Sequence, residues 1–257
     1  MRRFHALLLC IVCLFLLLGC AKEPEAVVID VTAAGSGVTP APLSAEPARE
    51  EGEDTASAKA GPAAEIRGTA AYILSCAEGP ALYGAVAYEN TGDAPLVVTK
   101  ANFTFSFAGT TEEVEFTPIF ADKTIVLPGE TSYAVLWYTM ADLVPGTEVR
   151  LSASLQWEEA SSARIAIDLG NLYLAHNYPA FTSMAGILTA QADCPCNLIY
   201  TAFYDESGNL LGVWYFTENA HLLAGEPKAF TTHMKELPLE NLAEQTKEIH
   251  YFGIGME

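Results

Sequence analysis

The amino-acid sequence predicts an all-β protein, with two tandem antiparallel β-sandwiches following an export segment and a disordered tether. Three observations carry this expectation. From Ile66 onward, apolar and polar residues alternate with period two. Gly- and Pro-containing turn signals cut the alternating runs into short pieces, and a faint repeat divides the body into two halves. Many short alternating runs with turn punctuation and few helical patterns are the mark of antiparallel sandwiches.

The elements follow in chain order. Arg2 and Arg3 precede an apolar run of 13 residues, Ala6 to Leu18, and the segment ends Leu17-Leu18-Gly19-Cys20. That run is shorter than the roughly 20 residues a membrane-spanning helix needs. A basic start, a short apolar stretch and a small residue before the cut read as a signal peptide over 1–19. The Leu-Leu-Gly-Cys ending resembles the lipobox of bacterial lipoproteins. The resemblance implies cleavage before Cys20, a diacylglycerol on its sulfur, and an extracytoplasmic protein held on a bacterial membrane by lipid.

Residues 20–65 are expected to be the lipidated cysteine followed by an acidic flexible linker. From Ala21 to Glu65 there is no aromatic residue, and Ala, Glu, Pro, Gly, Ser and Thr dominate. Such a segment buries too little apolar area to offset its ordering entropy. A coil of this length spans roughly 35–40 Å from square-root scaling. Within it, Val27-Val28-Ile29-Asp30-Val31 reads as an apolar patch in the tail rather than as a strand.

In the first half, Phe103, Phe105 and Phe107 alternate with Thr104 and Ser106, and Val149 to Trp157 alternates likewise. Strand side chains point alternately to opposite faces, so these runs have one wet and one buried face. Turns are expected at Asn90-Thr91-Gly92-Asp93, Pro128-Gly129-Glu130, Pro145-Gly146 and Glu206-Ser207-Gly208-Asn209. Leu239 to Gln245 is the one stretch that reads as a helical turn, after Pro238. The repeat sets Tyr83-Gly84-Ala85-Val86 and Pro128-Gly129-Glu130 against Ala185-Gly186-Ile187-Leu188 and Ala224-Gly225-Glu226. It places one sandwich at 66–158 and the second at 163–257, with the seam at Glu158 to Ala163.

Phe203-Tyr204-Asp205-Glu206-Ser207-Gly208-Asn209-Leu210-Leu211-Gly212, followed by the Ala-Gly-Glu turn and Phe230, resembles the FxLyD family of small immunoglobulin-like sandwiches on bacterial lipoproteins. The likeness covers about 170–234. In the first half it is carried by Gly84-Ala85-Val86, Glu89-Asn90 and Pro128-Gly129-Glu130; that half lacks the Tyr-Asp hairpin. It implies an immunoglobulin-like fold and a surface location, and no activity.

Charge excludes some functions. The chain carries 13 basic and 32 acidic residues; losing 1–19 removes two arginines and no acid, which moves the net charge from −19 to −21. Phosphate backbones and anionic headgroups repel such a surface, so no nucleic-acid partner is expected and the membrane is held by lipid rather than by charge.

Candidate sites are few. Of the cysteines left after cleavage, Cys76, Cys194 and Cys196 are not assigned to lipid. Cys194-Pro195-Cys196 admits a disulfide, incidental thiols, or a metal or redox role, and Pro195 argues for an edge or a turn. The expected function without it is a non-catalytic surface protein binding a protein or envelope partner; the alternative is an envelope thiol or metal-binding protein using Cys194 and Cys196. Asp205 to Asn209 reads as a hairpin turn rather than a calcium loop. Glu112, Glu113, Glu115, Glu158 and Glu159 read as solvated acids rather than a glycosidase pair. His176, His221, His233 and His250 follow no metalloprotease spacing. No cofactor, metal site or catalytic residue is expected, and the chain is read as not an enzyme. The adjacent pairs Trp137-Tyr138 and Trp214-Tyr215 must each send one ring to either face of a strand. They are the candidate surface aromatics, with burial between the two halves as the alternative.

Overall fold

The computed structural model describes residues 26–27, 61–76, 78–118, 124–161, 164–177, 181–218, 221–234 and 242–256. Residues 1–25, which include the expected signal peptide and Cys20, and most of the expected linker lie outside them. The described chain is nearly all strand, in this order: β1 Ala26–Val27, β2 Ala64–Cys76, β3 Gly79–Asn90, β4 Leu96–Phe107, β5 Glu113–Phe116, β6 Ile125–Val126, β7 Thr131–Thr139, β8 Val149–Glu159, β9 Ile165–Asn177, β10 Phe181–Ala190, β11 Cys196–Tyr204, β12 Leu210–Phe216, β13 Lys228–Met234, α1 Leu242–Gln245 and β14 Glu248–Met256. Every ladder between these strands is antiparallel.

The strands stack in four layers. Layer 1 is β5-β4-β8 with β6 beside β4, and layer 2 is β2-β3-β7. Layer 3 is β12-β11-β14, and layer 4 is β9-β10-β13 with β1 on the outer edge of β9. The start of β9 also pairs with β14, at Ile165 and Ala166, so layers 3 and 4 form one hydrogen-bonded sheet that folds over at β9. One plan is used twice: β2-β3-β7 matches β9-β10-β13, and β5-β4-β8 matches β12-β11-β14. Layers 1 and 2 enclose a core that includes Leu82, Val86, Phe103, Phe105 and Leu136. Layers 3 and 4 enclose another, with Leu174, Met184, Leu188, Ile199 and Phe203.

The repeated glycines have a physical reason. A Cβ on Gly84 would lie 2.6 Å from the Phe105 ring, and one on Gly186 would lie 3.0 Å from the Phe230 ring. In both halves an aromatic ring fills the space that the missing side chain leaves. The Gly-Glu turns are equivalent too. Gly129 (φ 78°) donates its N–H to the Asn90 carbonyl at the end of β3, and Gly225 (φ 71°) donates to Ala190 at the end of β10. Positive φ is the region glycine enters without steric cost.

Turn chemistry elsewhere follows expectation. Asp205 Oδ1 accepts from the N–H of Ser207 and of Asn209, and its Oδ2 accepts from Asn209 Nδ2. These bonds, led by the Asn209 side chain, hold the Asp205 carboxyl below its ordinary range. Buried Asn90 donates to the Ala94 and Val126 carbonyls and accepts from Gly92 N–H, which pins the 90–94 turn.

Two features depart from the sequence reading. Val27, at the head of the apolar patch, forms a strand with Ala26: the two pair with Ala175 and Leu174 of β9, whose edge presents open backbone groups, while residues 28–31 lie outside the described residues. And β9 carries a bulge, where Asn171 sits at φ 49° and Gly186 alone faces two residues of β9. A bulge twists and bends a strand, which suits one that changes partners along its length.

Candidate functional site

The middle of the stack holds a third core, drawn from both halves. Ala81, Tyr83, Ala85 and Ala87 of β3 and Tyr133 of β7 meet Leu198, Tyr200 and Ala202 of β11, Val213 of β12, and Phe252 and Ile254 of β14. Layers 2 and 3 are therefore buried on both faces. This shows in β3 and β11, where nearly every position is buried. The residues that meet here alternate along each strand, as the pleat requires.

Across layer 2 runs a row of three aromatic residues in register. Tyr72 lies opposite Tyr83, and Tyr83 opposite Trp137. Ring centroids are 6.1 Å apart in the first pair, stacked, and 5.9 Å in the second, edge to face. The Tyr83 hydroxyl reaches across the seam. It donates to the Val213 carbonyl at 2.9 Å and accepts from the Val213 N–H at 2.7 Å. One side chain thus satisfies both backbone groups of an edge-strand residue, and burial pushes its pKa well above the ordinary tyrosine value.

Strand β7 runs along the seam with Thr131, Tyr133, Val135 and Trp137 on one face, and a cleft opens at each end. The first, of about 280 Å³, is lined by Glu130, Tyr133, Arg164, Asp168, His250 and Phe252 among others. Here Arg164 makes a bidentate pair with Glu130; Nη2 lies 2.6 Å from Oε1, and Nη1 meets Oε2. Nη1 also donates to the Ile125 carbonyl, Glu130 accepts from Leu127 N–H, and the guanidinium sits 4.9 Å above the Phe252 ring. The two side chains are only 8% and 11% exposed. Their hydrogen bonds run to each other and to backbone, so this end of the seam acts as a staple between the halves.

The second cleft, of about 240 Å³, is lined by Tyr83, Val135, Trp137, Val213, Trp214 and Tyr215. The Tyr83 hydroxyl is already committed to Val213. What the cleft offers is ring surface, with Tyr215 half exposed at 50% at its mouth. Such a surface can take up a flat apolar group or a ring.

The sequence-predicted residues distribute as follows. Trp137 packs against the seam core and Trp214 against the core of layers 3 and 4. Tyr138 turns to the opposite face of β7, 48% exposed and 4.8 Å from Phe116. Tyr215 lies 6.1 Å from Tyr200. Cys194 and Cys196 carry free thiols that part company: Cys194 is buried and Cys196 exposed, with Pro195 in a bend between them. The Cys194 side chain occupies the space above Gly255, where a Cβ would come within 2.9 Å of its sulfur. Burial, with Asp193 and Cys196 adding to it, raises the Cys194 thiol. Cys76 is partly buried against the seam core. Cys20 and the His176 side chain lie outside the described residues.

Among the described residues, no three His, Cys, Asp or Glu side chains converge as a metal site, and no helix is long and apolar enough to cross a membrane. The acids Glu112, Glu113, Glu115, Glu158 and Glu159 are exposed and line neither cleft. Arg164 and Tyr83 are the residues that sequence reasoning missed. A signal for Tyr83 exists: Gly84 fixes the face of β3, which sends Tyr83 to the other. Arg164 had only its position just past the Glu-Glu-Ala-Ser-Ser break. No protein-family model matches this chain, and no curated protein is significantly similar to it.

Proposed function

We propose that this chain is a lipid-anchored, non-catalytic surface protein that contacts a protein or envelope partner through the aromatic cleft at the Trp137 end of β7. The signal-like start and the lipobox ending at Cys20 support the anchor. The observation that carries the binding reading is the cleft itself. Rings of Trp137 and Tyr215 frame it, and the Tyr83 hydroxyl that lines it is already used. Exposed aromatic surface of this kind is enriched where proteins bind. The pairing of β2-β3-β7 against β5-β4-β8 supports an immunoglobulin-type arrangement, with a longer connection returning each half to its first sheet.

The thiol reading has no such support. A metal or redox role needs accessible thiolates, and Cys194 is fully buried against Gly255 with its thiol raised.

The test is a titration of the mature protein with solubilised cell-envelope glycan and, in parallel, with the envelope protein fraction, following tryptophan fluorescence. Saturable change that Tyr215→Ala abolishes supports the reading. Binding unaffected by Tyr215→Ala, or turnover of either preparation, contradicts it.

A further inference from the structure

The open face of layer 4 differs from the rest of this acidic molecule, and the chain leading to Cys20 is tied to its edge. Ala26 and Val27 extend layer 4 by pairing with Ala175 and Leu174 at the far end of β9. Cys20 stands six residues before Ala26. Six residues of fully extended chain reach at most about 22 Å. The effective tether is this short piece, and not the whole length to Glu65.

Register places Gly170, Ile187 and Ala229 in one row on the outer face of layer 4, with Tyr173, Ala185 and Thr231 in the next. Asp168 is the one acid among the outward positions of β9, β10 and β13 whose side chains are described, and it lies near the start of β9, where it lines the first cleft. The mature chain as a whole carries −21. Anionic headgroups repel acidic surfaces and leave an uncharged, small-residue face free to approach.

We infer that the outer face of layer 4 rests on the lipid headgroup surface, with layer 1 pointing away from the membrane. This rests on the reading of Cys20 as acylated. The membrane then presents the Trp137 cleft, which lies in the seam between layers 2 and 3, at the side of an upright stack. A partner reaches it without displacing the protein from the bilayer.

The experiment uses the lipidated mature protein in a Cys76→Ser, Cys196→Ser background. A fluorophore is attached at Thr231→Cys on layer 4 or Thr104→Cys on layer 1, and the protein is placed in phosphatidylcholine–phosphatidylglycerol vesicles carrying a headgroup quencher. Stacked sheets lie about 10 Å apart, so three gaps separate the two labels by about 30 Å, and quenching at 231 is expected to exceed that at 104 at least about threefold. Ala26→Pro with Val27→Pro removes the N–H donors of β1 and should bring the two values together. Mass analysis of the N-terminal peptide is done on the same sample. Acylated Cys20 with equal or reversed quenching overturns the orientation alone. Unacylated Cys20 overturns the anchor reading and this inference with it.

Discussion

The two equivalent cross-strand rows of this molecule have opposite fates. In layer 2 the row is Tyr72–Tyr83–Trp137; in layer 4 it is Tyr173–Ala185–Thr231, each with its middle residue just before the repeated glycine. The first is covered by layer 3 and locked by the bonds from Tyr83 to Val213. The second is open, with Tyr173 47% exposed, and has exchanged two of its three rings for Ala and Thr. The backbone plan is shared; the side chains record which face is covered. The outer face of layer 1 is polar and charged, with Thr104, Ser106, Glu113, Glu115, Arg150, Ser152 and Ser154 outward.

Substitutions test this contrast. The largest effect is expected for Arg164→Met, which leaves the Glu130 carboxylate buried without its partner and should lower urea-unfolding stability by about 3–5 kcal/mol. Adding Glu130→Leu should recover much of that loss. Tyr83→Phe keeps the ring but strands the Val213 N–H and carbonyl, and about 1–3 kcal/mol should be lost in the same measurement. The matched change on the open row, Thr231→Trp at an exposed position beside Ala185, should leave stability within about 0.5 kcal/mol, as surface substitutions do. It should also add a dimer in sedimentation velocity, because it places a second ring beside Tyr173 on an uncovered row. Equal costs in the two rows would break the comparison.

Alkaline pH offers a further probe of the covered row's surroundings. Tyr88 faces Ser132 across the β3–β7 pair, and neither hydroxyl makes a well-formed hydrogen bond. Burial pushes the Tyr88 hydroxyl up to about 12, with Ser132 opposing the shift. Tyr83, Tyr133 and Tyr200 are also raised, in each case chiefly by burial. In the unfolded chain these tyrosines ionise near the ordinary value of about 10. The unfolded state therefore binds fewer protons above that pH, and stability should be intact below pH about 10 and fall as pH rises towards about 12. Thermal melts across that window, with Tyr83→Phe and Tyr88→Phe showing a shallower fall, check the sign.

Much of the fold was legible from residues that act locally. Alternation at Phe103–Phe105 and Val149–Trp157 marks strands with one wet face, and Gly129, Gly208 and Gly225 sit at positive φ in turns. The repeat was legible because Gly84 and Gly186 do the same job under Phe105 and Phe230. What was not legible depends on partners far apart in sequence. Strands buried on both faces, such as Asn197 to Phe203, lose the alternation that would say which face meets what. The staple joins residues 34 apart, and the Tyr83–Val213 bonds join residues 130 apart. The pairing of β1 depends on the exposed edge of β9, which no pattern around Val27 reveals. For the candidate site, each aromatic pair had to divide between two faces. Which ring would stay open depended on how the layers stack.

The most direct measurement is hydrogen exchange along a urea titration of the protein, comparing peptides from β3 and β11. If layers 2 and 3 share one core, their slowest amides should lose protection at the same urea concentration and with the same slope. Loss of protection in β11 at a clearly different urea concentration from β3 would mean that the halves fold separately, and would contradict the shared seam.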